Sequence, residues 1–389
     1  MTNSEYIARY LQARGITHVY ELIGGMITFL LDSLHQHTDI KIVSMHHEQG
    51  AGFAAEGWAR MRGLPGVALA TSGPGATNLI TAIGSCYFDS VPAVFITGQV
   101  NRHEQKGERE VRQLGFQETD IVAMVQPVTK AAWIVNNPED LPRILDEAFH
   151  LAASGRPGPV LVDVPMDVQR HSLPDHVAVP GGHLSHESFG IGPTEEVDAF
   201  LERLAVALSA AQRPVILAGG GLRSSLAVEP FRALVEHLQI PVIHSLMGVD
   251  VLPFGHPQRF GMLGSYGNRW ANLGFALSDL VLVLGSRLDI RQTGSDVAGF
   301  RAGRAFFHVD CMPAEINNRV TGCEALHEEL KPFLKRALAR LPAGGGKRPA
   351  WEQELDALRA AWPDTEELKD LKGINPNAFL HQLARATQF

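Results

Sequence analysis

Short apolar runs alternate with amphipathic segments of helical spacing along most of this chain, and this alternation constrains its fold more than any other feature. Parallel strands need a crossover connection, which is usually a helix. The alternation therefore predicts the α/β class, with doubly wound parallel sheets. The predicted strands are residues 40–45, 67–71, 93–97, 159–164, 214–218, 241–244, 279–284 and 305–309. The predicted helices are residues 4–14, 27–35, 49–61, 76–87, 139–153, 195–210, 226–239, 325–340, 351–371 and 374–389.

Two segments rich in proline and glycine interrupt the alternation, at residues 171–193 and 342–349. Such segments are typical of linkers. We therefore expect one domain over residues 1–172, a linker over 173–192 and a second domain over 193–341. A chain of 389 residues is long enough to bury the cores of two such domains.

Composition and charge argue against several classes of protein. The formal charge is -8, and no basic stripe is present that would neutralise nucleic-acid phosphates. The cysteines Cys86, Cys311 and Cys323 are too few and too scattered for a disulfide framework or a metal site, which favours reduced thiols in a cytoplasmic protein. The first predicted helix carries charged residues, unlike a signal peptide, and no run approaches the ~20 apolar residues of a membrane span.

One carboxylate, Glu48, lies where the strand at 40–45 gives way to a helix rich in glycine and alanine. This is the position at which α/β sheets carry their binding and catalytic groups. The small residues let the helix pack closely, so we expect the carboxylate to be held and mostly dry. Alternatively, Glu48 is a helix-start carboxylate that the macrodipole stabilises by about 0.5 kcal/mol. On the same helix Glu56 and Arg60, four residues apart, are predicted to form a structural ion pair.

Five further segments accompany Glu48 in a characteristic order and spacing. They are residues 23–25 (IGG), 71–78 (TSGPGATN), 98–100 (GQV), 116–120 (FQETD) and 127–130 (PVTK). Together they resemble the N-terminal pyrimidine-binding domain of thiamine diphosphate enzymes, and most closely the acetolactate synthase family. The resemblance covers the first third of the chain.

This resemblance implies a catalytic role for Glu48. Thiamine diphosphate must lose a proton from its thiazolium carbon to the 4′-amino group of its own pyrimidine. A carboxyl group hydrogen-bonded to the pyrimidine N1′ favours the tautomer in which that amino group is basic, and a carboxyl in an apolar pocket can share the required proton near neutral pH. The residues expected to surround the cofactor are Gly24, Gly25, Glu48, Thr71, Pro74, Gly75 and Asn78.

The second domain also resembles its counterpart in this family. The matching segments are residues 217–221, 261–268, 285–289 and 309–316. In acetolactate synthases these segments hold FAD, and in related acyl-CoA lyases an ADP moiety, so FAD is an expected cofactor. The candidate nucleotide-binding residues are Gly219, Gly220, Gly221, Met262, Leu263, Gly264, Gly285, Arg287, Arg291 and Asp310. The alternative is a domain without nucleotide, because a glycine turn after a strand is a weak signal by itself.

For the substrate, the resemblance implies a channel shaped by Phe116, Gln117 and Lys130. Arg287 and Arg291 could face the carboxylate of a 2-keto acid, or could form ion pairs instead. Two features depart from biosynthetic acetolactate synthases. The segment 101–115 is longer and more charged, and the usual Tyr-Pro-Gly-Gly is replaced by Leu-Ile-Gly-Gly at residues 22–25. The longer loop looks like that of relatives in sugar and secondary-metabolite pathways.

In the family a third domain binds Mg²⁺ and the cofactor diphosphate through a Gly-Asp-Gly sequence. No Asp-Gly dipeptide occurs in this sequence, so we expect no metal site in the chain itself. Residues 342–389 are expected to be a linker and the beginning of that third domain. Magnesium would then be held by the third domain or by a separate chain that carries it.

The resemblance implies an acetolactate-synthase-like transferase or lyase, as in branched-chain amino acid biosynthesis. Such an enzyme decarboxylates a 2-keto acid such as pyruvate and ligates the activated aldehyde to a second carbonyl, and it works as a homodimer or tetramer. The alternatives are a 2-keto acid or acyl-CoA decarboxylase or lyase, a two-carbon transfer to a sugar or secondary-metabolite ketone, and a non-catalytic two-domain interaction protein.

Overall fold

The computed structural model describes residues 1–174, 176–181, 191–366, 369–370 and 372–387. The chain divides into two compact units, Met1–Glu187 and Ser188–Phe389. The division falls within the predicted linker 173–192, of which residue 175 and residues 182–190 lie outside the described residues. Each unit contains a six-stranded parallel sheet flanked by helices, which confirms the predicted α/β class with two parallel sheets.

The first unit alternates strands with helices as the sequence predicts. Its strands are β1 (His18–Leu22), β2 (Lys41–Ser44), β3 (Gly66–Ala70), β4 (Ala93–Gln99), β5 (Ala131–Ile134) and β6 (Pro159–Pro165). Its helices are α1 (Asn3–Ala13), α2 (Thr28–His37), α3 (Glu48–Arg62), α4 (Pro74–Asn78), α5 (Ile80–Asp89), α6 (Ile121–Val125), α7 (Leu141–Ala153) and α8 (Met166–Arg170).

The first sheet has the strand order β2-β1-β3-β4-β6-β5, and every neighbouring pair is parallel. Because β1 lies between β2 and β3, the chain leaves β1 toward one edge of the sheet and then returns to its other side. The carboxyl ends of these three strands therefore border the crevice at which open α/β sheets bind ligands.

Helices cover both faces of this sheet, and β4 and β6 are buried along their whole length, as central parallel strands are. On one face α1 and α7 contribute Tyr6, Tyr10 and Phe149 to the core. On the other face α3 packs closely on α5 because Gly52 has no side chain. A Cβ at Gly52 would lie 2.5 Å from the Cβ of Ala82. This packing fixes α3, and with it the position of its first residue.

The second unit repeats the plan. Its strands are β7 (Pro214–Ala218), β8 (Val242–His244), β9 (Arg259–Met262), β10 (Leu280–Leu284), β11 (Ala305–Asp310) and β12 (Glu324–His327). Its helices are α9 (Thr194–Ala210), α10 (Gly221–Ser224), α11 (Val228–Leu238), α12 (Arg269–Leu277), α13 (Ile290–Thr293), α14 (Val297–Arg301), α15 (Leu330–Arg340), α16 (Pro349–Ala361) and α17 (Pro376–Ala386). The strand order is β12-β11-β10-β7-β8-β9, again all parallel.

Several local expectations differ from the structure. The strands β1, β5, β9 and β12 were not expected, and β12 replaces the start of the helix predicted at 325–340. β1 and β12 carry charged and histidine side chains, which weaken the apolar pattern by which strands are recognised. The helix predicted at 76–87 is interrupted at Leu79, where α4 ends and α5 follows.

The end of the second unit also lies beyond the predicted boundary at residue 341. Trp351 and Leu355 of α16 are buried in a core with Phe260 and Phe275, and the Trp351 indole N–H donates to the carbonyl of Pro214 over 3.2 Å. α16 therefore belongs to the second unit. The predicted helix 351–371 ends at Ala361, and its residues 367, 368 and 371 lie outside the described residues, as do residues 388 and 389 of the last predicted helix.

Candidate active site

Glu48 is the first residue of α3 and lies beyond the carboxyl end of β2. Its side chain is buried, with the residue 7% exposed. His47 caps the helix, since its Nδ1 accepts a hydrogen bond from the amide of Gln49 over 3.1 Å. The Asn78 Nδ2 at the end of α4 donates to Glu48 Oε2 over 2.9 Å. A helix N-terminus and an amide donor both stabilise a carboxylate, so Glu48 is held in one orientation.

Two glycines bring neighbouring loops against this carboxylate. A Cβ at Gly75 would lie 2.7 Å from the Thr71 Cγ2 and 3.3 Å from Glu48 Oε1. A Cβ at Gly24, in the loop after β1, would lie 2.5 Å from the same Cγ2. The loops after β1 and β3 can therefore approach each other only because these positions lack side chains. The predicted residues Gly24, Glu48, Thr71, Gly75 and Asn78 thus meet at the carboxyl edge of the sheet.

Two backbone hydrogen bonds of Met26 also hold the loop after β1. The Met26 amide donates to Thr71 Oγ1 over 3.3 Å, and the Met26 carbonyl accepts from Gln169 Nε2 over 2.7 Å. Gly98 on β4 lies directly against this carbonyl, because a Cβ there would overlap it. These contacts place Gly24 and Gly25 above the sheet edge. Gly25 itself faces open space, with no atom within 4 Å of an added Cβ.

The segment that carries Phe116 and Gln117 lies against the start of α4. Gly73 has φ +64°, and a Cβ there would lie 2.8 Å from the Cβ of Gln117. Gln117 also has a positive φ, +63°, a conformation rare for residues with a side chain and a form of local strain. Phe116 is 78% exposed, and Pro74, the first residue of α4, is also exposed. Phe116 and Gln117 are therefore brought to the same edge of the sheet as Glu48.

Lys130 lies at a different place in this unit. Its amide donates to the carbonyl of Pro159, so it sits at the amino-terminal ends of β5 and β6. Its Nζ donates to the carbonyls of Leu151, over 2.5 Å, and Ser154, over 2.7 Å, at the end of α7. These bonds stabilise the C-terminus of that helix. Within one chain the structure does not bring Lys130 together with Glu48, and its role in a substrate channel stays a prediction.

In the second unit, the predicted glycines border the crevice between β7 and β10. Gly219, Gly220 and Gly221 follow β7, and Gly285 follows β10. A Cβ at Gly221 would lie 2.8 Å from the Gly285 Cα, and the Gly221 amide donates to the Gly285 carbonyl over 2.9 Å. Protein backbone thus explains why both positions are glycine. The position at the switch of strand order suits a nucleotide, but the glycines do not form an open cradle.

The remaining nucleotide candidates lie on neighbouring loops at that edge. Asp310 ends β11, and its Oδ1 accepts from the Met312 amide over 2.9 Å. Gly264 follows Met262 and Leu263 and lies against the carbonyl of Arg291. The Arg291 Nη1 donates to the Tyr266 hydroxyl over 3.2 Å and lies over its ring. The Nε of Arg287 lies 3.8 Å from Asp289 Oδ2, a weak and partly exposed ion pair.

Sequence reasoning missed one polar cluster close to the first site. Thr97 and Gln99 of β4 and Asp163 of β6 are all buried, between 0% and 3% exposed. Thr97 Oγ1 donates to Asp163 Oδ1 over 2.7 Å, and Gln99 Nε2 donates to Asp163 Oδ2 over 2.9 Å. The signal in the sequence was an aspartate within an otherwise apolar strand. Separately, Glu56 and Arg60 form the predicted ion pair, at 2.5 Å.

In the described part of the chain, no group of three or more histidine, cysteine, aspartate or glutamate residues could hold a metal ion. None of the helices in the described ranges combines the length and the apolar character that crossing a bilayer requires. None of the cysteines Cys86, Cys311 and Cys323 forms a disulfide bond.

Comparison with known proteins agrees with this geometry. The family model for the thiamine pyrophosphate enzyme N-terminal TPP binding domain matches residues 1–124, and the model for the central domain of the same enzymes matches residues 201–337. The chain therefore belongs to the thiamine pyrophosphate enzyme family and carries its N-terminal and central domains.

Among curated proteins the chain is similar to acetolactate synthases. It is 38% identical to the large subunit of Corynebacterium glutamicum over 379 residues, which cover 96% of this chain and 56% of that protein. It is 38% identical to the chloroplastic acetolactate synthase 2 of Nicotiana tabacum over 368 residues, covering 92% and 53%. For the isozyme 1 large subunit of Escherichia coli the identity is 35% over 370 residues, covering 93% and 61%. The chain thus spans just over half the length of these relatives.

Proposed function

We propose that this chain forms the cofactor-activating part of a thiamine diphosphate enzyme that acts as acetolactate synthases do. The reaction is the decarboxylation of a 2-keto acid such as pyruvate, followed by ligation of the activated aldehyde to a second carbonyl. One observation carries the proposal, namely the buried Glu48 carboxylate, held by Asn78 at the carboxyl edge of the first sheet. The similarity to acetolactate synthases over nearly the whole chain supports the choice of reaction.

The residues present fit the pyrimidine of thiamine diphosphate. Gly24 and Gly75 lie on the loops next to Glu48, and their lack of side chains leaves backbone rather than side chains beside the carboxylate. Glu48 has one oxygen bonded to Asn78, and the other faces Gly75. Bound thiamine diphosphate supplies the nucleophilic carbon that attacks the keto carbonyl. Glu48 would hold a proton at the ring nitrogen N1′, and the burial of the site would exclude water from that contact.

The diphosphate, Mg²⁺ and FAD are further parts of the proposal. We assign Mg²⁺ and the diphosphate to protein outside residues 1–389, in a further domain or a separate chain. For FAD, the placement of Gly219, Gly285 and Asp310 around the crevice of the second sheet supports binding. Gly221 lies directly against Gly285, and its amide donates to the Gly285 carbonyl, so the support for FAD comes from the crevice rather than from an open glycine cradle.

Substrate recognition is assigned to Phe116 and Gln117, because they lie at the sheet edge that carries Glu48. Lys130 remains predicted to shape the substrate channel, and Arg287 and Arg291 remain predicted contributors to binding of the keto acid carboxylate. Glu118 gives the charged loop 101–115 a defined shape, since it accepts hydrogen bonds from the amides of Lys106, over 2.6 Å, and Leu114, over 2.8 Å. The loop thus has a defined shape, and its predicted greater length and charge support the alternative in which the acceptor is a sugar or secondary-metabolite ketone.

Assembly as a homodimer or tetramer is supported by the outer surface of α3 and α5. Phe53, Met61, Tyr87 and Phe88 on these helices are 38–85% exposed. Neighbouring apolar side chains at an exposed helix pair are typical of an interface. A cytoplasmic location is consistent with cysteines that form no disulfide bond.

The proposed reaction is tested by supplying the native assembly with pyruvate, thiamine diphosphate and Mg²⁺. We expect release of CO₂ and a product with a new carbon–carbon bond, identified by mass spectrometry with isotopically labelled pyruvate. Release of CO₂ with free acetaldehyde as the sole organic product would identify a decarboxylase. No consumption of any 2-keto acid tried, with the assembly folded and thiamine diphosphate bound, would contradict the proposal.

A further inference from the structure

The buried cluster of Thr97, Gln99 and Asp163 is not explained by sheet packing. Thr97 and Asp163 are direct neighbours across β4 and β6. Their side chains lie on the face of the sheet that α3, α5 and α6 cover, among apolar residues such as Phe95 and Leu161. A polar group at such a position costs stability unless it is bonded, and a smaller apolar side chain would fill the space at lower cost. Apolar packing alone therefore does not require these three polar side chains.

Gln99 connects this buried cluster to the half-buried Thr119. Gln99 Nε2 donates both to Asp163 Oδ2 and, over 2.8 Å, to the carbonyl of Thr119. The Gln99 Oε1 accepts from the amide of Val100 over 3.0 Å, which fixes the orientation of the amide group. Asp163 thus orients the Gln99 side chain, and Gln99 in turn holds the Thr119 carbonyl by a hydrogen bond.

Thr119 belongs to the turn of residues 116–120, which presents Phe116 and Gln117. Above the sheet, Glu118 binds the charged loop, and Gln117 lies against Gly73 in its positive-φ conformation. Gly73 precedes α4, the helix that carries Gly75 and Asn78 to Glu48. A continuous set of contacts therefore runs from the core to the residues around the catalytic carboxylate.

We propose that Asp163 and Gln99 are positioning residues, which hold the turn 116–120 so that Gln117 keeps its strained conformation beside Gly73 at the substrate end of the site. The proposal rests on the proposed function for the identity of the substrate, but not for the positioning itself. The charged group that faces Asp163 is Asp120, at the start of α6. Burial and this like charge raise the pKa of Asp163 to about 7, because both disfavour the charged carboxylate. A charged carboxylate at this position therefore lowers the free energy of unfolding.

The test compares hydrogen exchange in the full chain with Gln99→Leu and Asp163→Asn. The reporter amides are Glu118, bonded to the Gly115 carbonyl over 3.1 Å, and Ile121, bonded to the Thr119 carbonyl over 2.9 Å. We expect exchange at both to accelerate about tenfold in Gln99→Leu, the effect of losing one hydrogen bond. Since Asp163 acts through Gln99, adding Asp163→Asn to Gln99→Leu should not accelerate exchange of these amides further.

Asn3→Leu is the matched control. Asn3 is also a buried amide in this unit, and its Nδ2 donates to the carbonyls of Pro138 and Val168, each over 3.0 Å. Its loss should lower global stability without accelerating exchange in the turn selectively. In the active assembly, Gln99→Leu should raise KM for pyruvate severalfold with a smaller change in kcat, because the Glu48 contacts stay intact.

Two results would overturn the positioning role. One is equal acceleration across β4 and β6, which would mean a loss of general stability; the other is an unchanged KM in an active variant. The exchange measurement needs no cofactor. If the native assembly did not act on 2-keto acids, the proposed function would be contradicted. The positioning role would then be decided by the hydrogen-exchange measurement alone.

Discussion

The Asn78 Nδ2 lies 2.9 Å from Glu48 Oε2 and joins the last residue of α4 to the first residue of α3. The two helices follow different strands, β3 and β2, so this bond depends on the whole arrangement of the sheet edge. It leaves Oε1 of the carboxylate directed at the glycine-lined side of the site. The geometry of the proposed chemistry therefore rests on a side chain thirty residues away in sequence.

Asn78→Ala should weaken the site without unfolding the unit. The carboxylate loses a charge-assisted hydrogen bond, and we expect turnover in the active assembly to fall by about 10- to 100-fold. Thr77→Ala is the control, because Thr77 Oγ1 donates to the Pro74 carbonyl within α4 instead. If both variants lost turnover equally, the effect would come from α4 as a whole and the assigned role of Asn78 would be wrong.

Gly24→Ala and Gly25→Ala should change the free energy of unfolding by different amounts, although the two positions are adjacent. An alanine Cβ at position 24 would overlap the Thr71 side chain, and we expect the free energy of unfolding to fall by about 1–3 kcal/mol. At position 25 the added Cβ meets no atom, so the change should stay within about 0.5 kcal/mol. Denaturant unfolding of the two variants measures this difference, and equal stabilities would show that the loop after β1 is not held against Thr71.

Asp163 should make the first unit less stable as the pH rises. Its pKa in the fold is about 7, above the ordinary value of 3.8. Between these values the folded state keeps a proton that the unfolded state releases, so the stabilising effect is complete below pH 4 and is lost as the pH rises through 7. Asp163→Asn should gain stability relative to the natural chain between pH 5 and 8, on the order of 1–4 kcal/mol. A difference that is independent of pH would contradict the assignment.

His308 should make the second unit less stable as the pH falls. Burial within β11 lowers its pKa to about 4, and burial likewise lowers the pKa of His244 to about 4. Near pH 6.5 the unfolded state binds protons at these histidines, whereas the folded state does not bind them until about pH 4. The stability is therefore present above that pH and is lost as the pH falls from about 6.5 to about 4. His308→Leu should reduce this acid sensitivity, measured by unfolding at pH 7 and pH 5. An unchanged pH dependence would mean that His308 is not the group responsible.

The sequence predicted the parallel α/β plan and the position of Glu48 after a strand because both follow from local pattern. Apolar strands recur between amphipathic helices, and the carboxyl ends of parallel strands meet at one edge wherever such strands are neighbours. Gly24, Thr71, Gly75 and Asn78 were predicted instead by the resemblance to thiamine diphosphate enzymes, since β1, the strand that Gly24 follows, was not expected.

Contacts that depend on register and on distant loops were not predictable in this way. The meeting of Gln117 with Gly73 requires the turn 116–120 to fold back over α4. Lys130 lies at the amino-terminal end of β5, away from Glu48. β5 has only four residues and no clear alternation of buried and exposed positions, so it could not be recognised from the sequence. The buried bonds of Asp163 depend on the pairing of β4 with β6, which no local pattern encodes.

The most direct test of the central claim compares Glu48→Gln with Glu56→Gln in the active assembly. Both glutamates lie on α3 and both are buried, but Glu56 pairs with Arg60 rather than facing the glycine-lined site. Glutamine at position 48 keeps the size of the side chain and removes the acid, so turnover should fall by roughly 10² to 10⁴, the range of a positioned acid or base. Per folded protein, Glu56→Gln should retain nearly natural turnover. Near-natural turnover in Glu48→Gln would contradict the account.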